Sequence, residues 1–258
     1  MKPRKKGSSR VKQVVRKEQT QTGDIRLNKY IANSGVCSRR EADKLIEAGE
    51  IKVNGKVVTE MGFKVKPEDK VTHNGKKLVP EKHIYLLLNK PKDFITTTDD
   101  PENRRTVMDL VKNACSERIY PVGRLDRNTS GLLLFTNDGE LAKKLSHPSH
   151  KVKKIYKVDL DKSITKEHFI QIQSGLELED GLALVDNLAI LDGDKRQLGI
   201  EIHIGKNRIV RRIFEHLGYE VEKLDRVMYG FLDKLNLPRG KWRMLTEKEI
   251  IKLKHLNN

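Results

Sequence analysis

A chain of 258 residues has room for one full domain and a second, small one. Its 52 Lys and Arg against 36 Asp and Glu leave a net charge of +16, which suits a polyanionic partner: nucleic acid first, an anionic membrane surface second. No apolar run approaches the roughly 18 residues of a membrane span, and the basic start at Met1 has no apolar stretch behind it of the kind a secretory signal needs. The two cysteines, Cys37 and Cys115, lie far apart with no metal-ligand or redox spacing, which points to a reduced, cytoplasmic protein without structural zinc. His147 and His150 flank Pro148 and read as exposed loop residues.

Residues 1–23 carry eight Lys or Arg, one Glu and almost no apolar periodicity. Such a stretch cannot bury enough surface to fold alone. It reads as a disordered basic tail that adds salt-dependent, sequence-independent attraction to RNA. Residues 24–80 read as a small α/β module. Leu27, Tyr30 and Ile31 have helical spacing that ends near Ser34 and Gly35. Ser38 then precedes a second helix with Glu41 three positions on, the capping-box pattern, and Ala42, Leu45, Ile46 and Ala48 give its apolar face before Gly49. Short strands follow at Ile51 to Val53 and Val57 to Val58 around an Asn54-Gly55 turn, with a second such turn at Asn74-Gly75.

The segment from Arg26 to Lys56 resembles the S4 RNA-binding domain across its whole length. The resemblance implies a helix pair lying on structured RNA, with Arg26, Lys29, Ser38, Arg39, Arg40 and Lys44 as contacts to its phosphates.

A larger domain spans residues 82–253. Tyr85 to Leu88 form an apolar strand leading into a basic turn, Asn89-Lys90-Pro91-Lys92. Lys90 reads either as a structural partner of a later loop or as a phosphate contact, and is grouped here with the RNA-binding candidates. Residues 123–138 are the most informative part of the chain. Asp126 sits in a polar loop rich in Arg, Asn and Thr, just before Leu132 to Phe135, an apolar run short enough for a strand buried on both faces. Catalytic groups are commonly held on a loop at the mouth of such a rigid element, although a solvated turn aspartate has the same local pattern. No glycine-rich phosphate loop accompanies a βαβ unit, which excludes the Rossmann and P-loop classes.

The pattern Gly-Arg-Leu-Asp-x-x-Thr-x-Gly-Leu-Leu-Leu from Gly123 to Leu134 resembles the catalytic motif of pseudouridine synthases, most closely the RsuA/RluB type that modifies ribosomal RNA. The resemblance implies an α+β fold: the S4 module followed by a mixed, largely antiparallel sheet flanked by helices. It also implies three catalytic side chains. Asp126 is the essential carboxylate. Tyr156, in the alternating stretch Lys154 to Val158, stacks on the uracil. Arg211 pairs with Asp126 and holds it ionised. On the helix starting near Ile209, Arg208, Arg212 and Glu215 group opposite the apolar face and Arg211 falls at the border, where a guanidinium keeps its stem in packing and presents its fork outward. Ile209 stands where many relatives carry Gln. Arg124, Arg208 and Arg212 join the candidate RNA contacts, and Leu224 is expected beneath the site.

Pseudouridine formation breaks the bond between ribose C1′ and uracil N1, turns the base, and joins C5 to C1′, so neither a cofactor nor a metal is expected. The carboxylate either attacks C1′ or removes the C2′ proton. The expected partner is ribosomal RNA or a ribosome-assembly intermediate rather than a membrane, and the expected state is a monomer. The large subunit is the favoured target. A synthase acting on small-subunit RNA or tRNA, or a non-catalytic S4-type assembly factor, are the competing readings. Deleting residues 1–23 is expected to weaken RNA binding most at low salt and to flatten its salt dependence, because fewer counterions are released; a binding titration with an unchanged salt slope would refute the role given to the tail.

Overall fold

The computed structural model describes residues 24–256, so the basic stretch 1–23 lies outside the described residues. The chain divides into two compact units between Glu81 and Lys82.

In the first unit the local signals act as their chemistry dictates. The Ser38 hydroxyl accepts the Glu41 amide while the Glu41 carboxylate accepts the Ser38 amide, which starts the Arg39–Glu47 helix. That helix packs beside Leu27–Asn33 through Leu27, Ile31, Ala42 and Ile46, which are buried with Ile51, Val53 and Val71 of a four-stranded sheet. Asn54 and Asn74 adopt positive φ ahead of Gly55 and Gly75, as tight hairpin turns require. Two expectations shift by a residue or a face. The strand expected at Val57 to Val58 is Lys56–Val57, with Val57 exposed and Val58 buried. Ala48 caps its helix from an exposed position instead of joining the apolar face.

The second unit is built on a nine-stranded sheet of the mixed kind the resemblance implied. Seven strands run in the spatial order Asn187–Leu191, Asp194–Ile202, Lys154–Leu160, Val221–Tyr229, Thr129–Thr136, Tyr85–Lys90 and Trp242–Met244; two short strands, Tyr120–Pro121 and Leu232–Asp233, attach at the sides. The strands Tyr85–Lys90 and Thr129–Thr136 are buried at every residue. The reason is a division of labour between faces. Leu86, Leu88, Leu133 and Phe135 pack in one cluster with Val107, Ile213 and Phe214. Leu87, Leu132 and Leu134 pack in the other with Leu141, Leu145 and Leu253. A strand covered on both sides has no place for alternation, hence the unbroken apolar run.

Every pairing in this sheet among the described residues is antiparallel except one: Leu224, Asp225 and Arg226 run parallel to Thr129, Ser130 and Gly131. This pair joins the two halves of the sheet. Gly131 has φ +110°, and a Cβ there would stand 2.3 Å from the Arg226 carbonyl oxygen and 2.5 Å from its nitrogen. Backbone is the obstacle, so no side-chain rotation relieves it. Gly131→Ala is expected to destabilise the unit by about 3 kcal/mol, a fall of roughly 6–12 °C in thermal midpoint, measurable by calorimetry; an unchanged midpoint would mean that the strands separate there without cost.

Candidate active site

The strand Tyr85–Lys90 ends in a charged residue that is wholly buried. Lys90 is 0% exposed, and its Nζ donates to the carbonyl oxygens of Thr129 at 2.8 Å, Pro91 at 3.0 Å, Asp126 at 3.1 Å and Arg127 at 3.3 Å. Burial pushes this ammonium down from its ordinary value to about 8, while the charges of Asp126 and Asp93 act in the opposite direction. A buried cation is tolerable when its donors are satisfied, and here the acceptors are the main chain of the loop that carries Asp126. Lys90 therefore shapes the loop from inside. It is closed to RNA, and the expected phosphate contact is withdrawn.

Other contacts fix the same loop. The Thr96 hydroxyl donates to the Leu125 carbonyl at 2.7 Å, the Asp93 amide to the Arg127 carbonyl at 2.9 Å, and the Thr129 amide to the Asp126 carbonyl at 3.0 Å. Gly123 enters the loop at φ +74°, a conformation glycine adopts without strain. The Asp126 main chain is thus held on several sides, while its carboxylate is half-buried and, among the described residues, has no hydrogen bond or ion pair.

Arg211 arrives from the helix Ile209–His216, whose Ile209, Val210, Ile213 and Phe214 are buried in the core. The guanidinium is itself buried, not at a border: only 8% of the residue is exposed. Its fork does not close on Asp126. Nη1 donates to the Val221 carbonyl at 2.7 Å and Nη2 to the Asn128 carbonyl at 3.1 Å, while Nε has no partner. The expected ion pair is corrected accordingly: the planar fork finds two backbone oxygens converging at the start of the parallel pair. Burial and the charge of Arg208 lower this guanidinium, and Asp126 and Glu215 act the other way, so Arg211 senses the carboxylate without bonding to it.

Tyr156 lies on Lys154–Leu160, 8% exposed, opposite Ile200 on one side and Arg226 on the other. Arg226 in turn pairs with Gly131, so Tyr156, Arg226 and Gly131 form one row across three strands. Beyond the row of Lys157, Asp225 and Ser130 comes the row of Val158, Leu224 and Thr129, the last of which lies three residues after Asp126. Sheet register thus sets Tyr156 in the row of Gly131, at the far end of the parallel joint from Thr129, while Arg211 reaches the start of the joint through the Asn128 and Val221 carbonyls. Leu224 is buried there, in register with Thr129. Arg226 does not face solvent or Asp225; it is buried, donates from Nε to the Leu132 carbonyl at 2.7 Å and lies over the Tyr229 ring.

The remaining candidates separate by exposure. Arg26, Arg39, Arg40, Lys44 and Arg124 are exposed, Lys29 is half-buried, and the Ser38 oxygen is engaged as a helix cap. Arg208 is paired with Glu215, and Arg212 makes a two-point pair with Asp180 at 2.6 and 3.0 Å. These two arginines spend their charge within the protein, which weakens their case as RNA contacts. Sequence reading missed Thr96 and the carbonyl acceptors of Lys90 and Arg211, since no side-chain pattern marks a backbone oxygen as a partner.

With this geometry in place, residues 84–216 match the family described as RNA pseudouridylate synthase, and residues 25–71 match the S4 domain. The chain belongs to the RNA pseudouridylate synthase family. It is 45% identical over 235 residues to the ribosomal large subunit pseudouridine synthase B of Bacillus subtilis, covering 90% of this chain and 96% of that one. It is 40% identical to the dual-specificity RNA pseudouridine synthase RluF of Escherichia coli, covering 89% of this chain and 78% of the relative. A solved structure of a pseudouridylate synthase superposes with a TM-score of 0.65 at 29% identity, over 89% of this chain and 99% of that chain. Among the described residues no group of three or more His, Cys, Asp or Glu is arranged to hold a metal ion.

For a synthase loop built this way, Lys90→Met is expected to remove one charged donor from each of three loop carbonyls, those of Asp126, Arg127 and Thr129. A hydrogen bond from a charged donor contributes about 1.5–3 kcal/mol, and the loop responds by rearranging. Single-turnover pseudouridine formation should drop by at least about tenfold while RNA affinity stays close to wild type, as read by filter binding; a normal rate would show that the cage does not govern the position of Asp126.

Proposed function

We propose that this protein converts a uridine of large-subunit ribosomal RNA to pseudouridine, with Asp126 as the essential carboxylate, Tyr156 stacked against the uracil, and Arg211 supporting the loop between them. The observation that carries the reading is the half-buried Asp126 carboxylate, unpaired on a loop whose main chain is held by Lys90, Thr96 and Arg211. A group that must attack C1′ or take the C2′ proton has to be ionised and correctly placed before substrate arrives. Here the placing is done through the backbone, which leaves both carboxylate oxygens for the ribose. The Arg211 guanidinium feels the Asp126 charge at a distance without bonding to it.

The reaction is an isomerisation. The C1′–N1 bond breaks, the C1′–C5 bond forms, and the proton lost from C5 to solvent or to a base is matched by one taken up at N1, so atoms balance without a donor or an oxidant. The target base has to leave its stack, at a cost of a few kcal/mol that backbone contacts offset. Exposed Arg39, Arg40 and Lys44 of the S4 unit and Arg124 of the loop supply cations for that purpose. The Bacillus subtilis relative is named for the large ribosomal subunit and supports that substrate; the RluF relative is named dual-specificity, which favours testing a second RNA alongside it. No helix among the described residues is long and apolar enough to cross a membrane. A monomer in the cytoplasm completes the reading.

Asp126→Asn keeps the size of the side chain and removes its charge and basicity. It is expected to lower single-turnover pseudouridine formation by about 10²- to 10⁴-fold with RNA affinity within a few-fold of wild type. Turnover at the wild-type rate on large-subunit RNA would remove Asp126 from the role.

A further inference from the structure

One partly exposed charge cluster lies beyond the residues already assigned. Asp225 sits on the strand Val221–Tyr229, beside Ser130 in the parallel joint. Its carboxylate accepts the Ser130 hydroxyl at 2.9 Å, both Nη groups of Arg239 at 2.8 and 3.1 Å, and the Lys234 ammonium. Burial raises its pKa, but Arg239 and Lys234 outweigh burial and hold it down at about 2, so it carries its charge throughout the physiological range. Arg239 reaches further. The Nη1 that binds Asp225 also donates to the Asn89 side-chain oxygen at 2.8 Å and to the Lys90 carbonyl at 3.3 Å. Asn89 returns a bond from its side-chain amide to the Leu237 carbonyl, and Gly240 donates its amide to Asn89. The loop 234–241 is thereby clamped onto the end of the strand that presents Lys90.

We propose that Asp225 is a positioning residue for the reaction: through Arg239 it fixes Asn89 and Lys90, and through Ser130 it fixes the start of the central strand, so that the loop carrying Asp126 is gripped from both of its anchors. The two routes are short. In one, Asp225 holds Arg239, Arg239 holds the Lys90 carbonyl, and the Lys90 ammonium holds the carbonyls of Asp126, Arg127 and Thr129. In the other, Asp225 holds Ser130, the neighbour of Thr129. The inference rests on the reading that Asp126 is the essential carboxylate.

The cluster suits this role better than a purely structural one. Asp225, Ser130 and Arg239 line a cavity of about 370 Å³ with Lys92, Lys157 and Lys223, on the opposite side of the strand from the Tyr156–Val158 packing. Water reaches them, so neutralising Asp225 does not strand an uncompensated charge in the core. What is lost is the two-point geometry that orients the guanidinium.

The experiment compares Asp225→Asn and Arg239→Lys with wild type in three readings: RNA affinity, single-turnover rate at saturating RNA, and amide hydrogen exchange of residues 123–131. Both variants are expected to bind RNA within twofold of wild type, to turn over about tenfold more slowly, and to exchange faster in the loop. The double variant is expected to be no slower than the worse single one, because both changes break the same link. Arg239→Lys keeps a cation near Asp225 and serves if Asp225→Asn folds poorly. Unchanged loop exchange and wild-type rates in both variants would overturn the proposal. Weakened RNA binding with an unchanged saturated rate would also overturn it, making the cluster an RNA contact. Hydrogen exchange separates this outcome from a failure of the parent reading: if the loop loosens but Asp126→Asn remains active, the grip stands and the choice of carboxylate falls.

Discussion

The catalytic unit depends on one close backbone approach. Where Thr129 to Gly131 runs parallel to Leu224 to Arg226, the chains come so near that the space at Gly131 admits no Cβ. An antiparallel sheet can be extended strand by strand through short turns, but a parallel step demands a long crossover. Here that crossover brings in the Tyr156 strand and the Arg211 helix before the chain returns. The joint therefore does more than close the sheet. It gathers segments that are distant in sequence around the first residues of one buried strand, and the loop before that strand inherits their rigidity.

Three buried cations surround the joint, and none is paired with a carboxylate. Lys90, Arg211 and Arg226 all donate to main-chain carbonyls. Carbonyl oxygens are weaker partners than carboxylates, but they belong to the backbone, and binding them fixes the path of the chain. The arrangement also leaves a field. The only carboxylate in the Asp126 loop sits among positive charges that are held by the main chain rather than paired with it.

Features of the fold set by neighbours in sequence were legible from sequence. The Ser38–Glu41 capping box, the Asn-Gly turns and the continuous apolar strand to Phe135 all depend on residues within a few positions of one another. The motif singled out Asp126, and the structure sets that residue on a loop held through its main chain. The partners were not. Arg211 was expected to meet a side chain and instead meets carbonyls of Asn128 and Val221, and a helical wheel holds no information about which main-chain oxygens will stand opposite. Lys90 offered a strand position and a charge that pull in opposite directions; only the carbonyl cluster resolves them. Asp225 and its partners Ser130, Lys234 and Arg239 come together only once the sheet order is known.

The cage around Lys90 has a consequence for divergence. Because the loop is shaped chiefly through its carbonyls, its outward side chains hold it little: Arg127 makes one long, exposed pair with Asp93 at 3.5 Å. Arg124 and Arg127 are exposed, and changing either leaves the oxygens that Lys90 grips where they are. The shape of the loop and its exposed charge are in this sense stored in different atoms of the same few residues, the main chain for one and the side chains for the other. A lineage can exchange the exposed arginines of this loop without touching the frame that presents the Asp126 carboxylate, so the surface around that carboxylate is free to vary while its placement is kept.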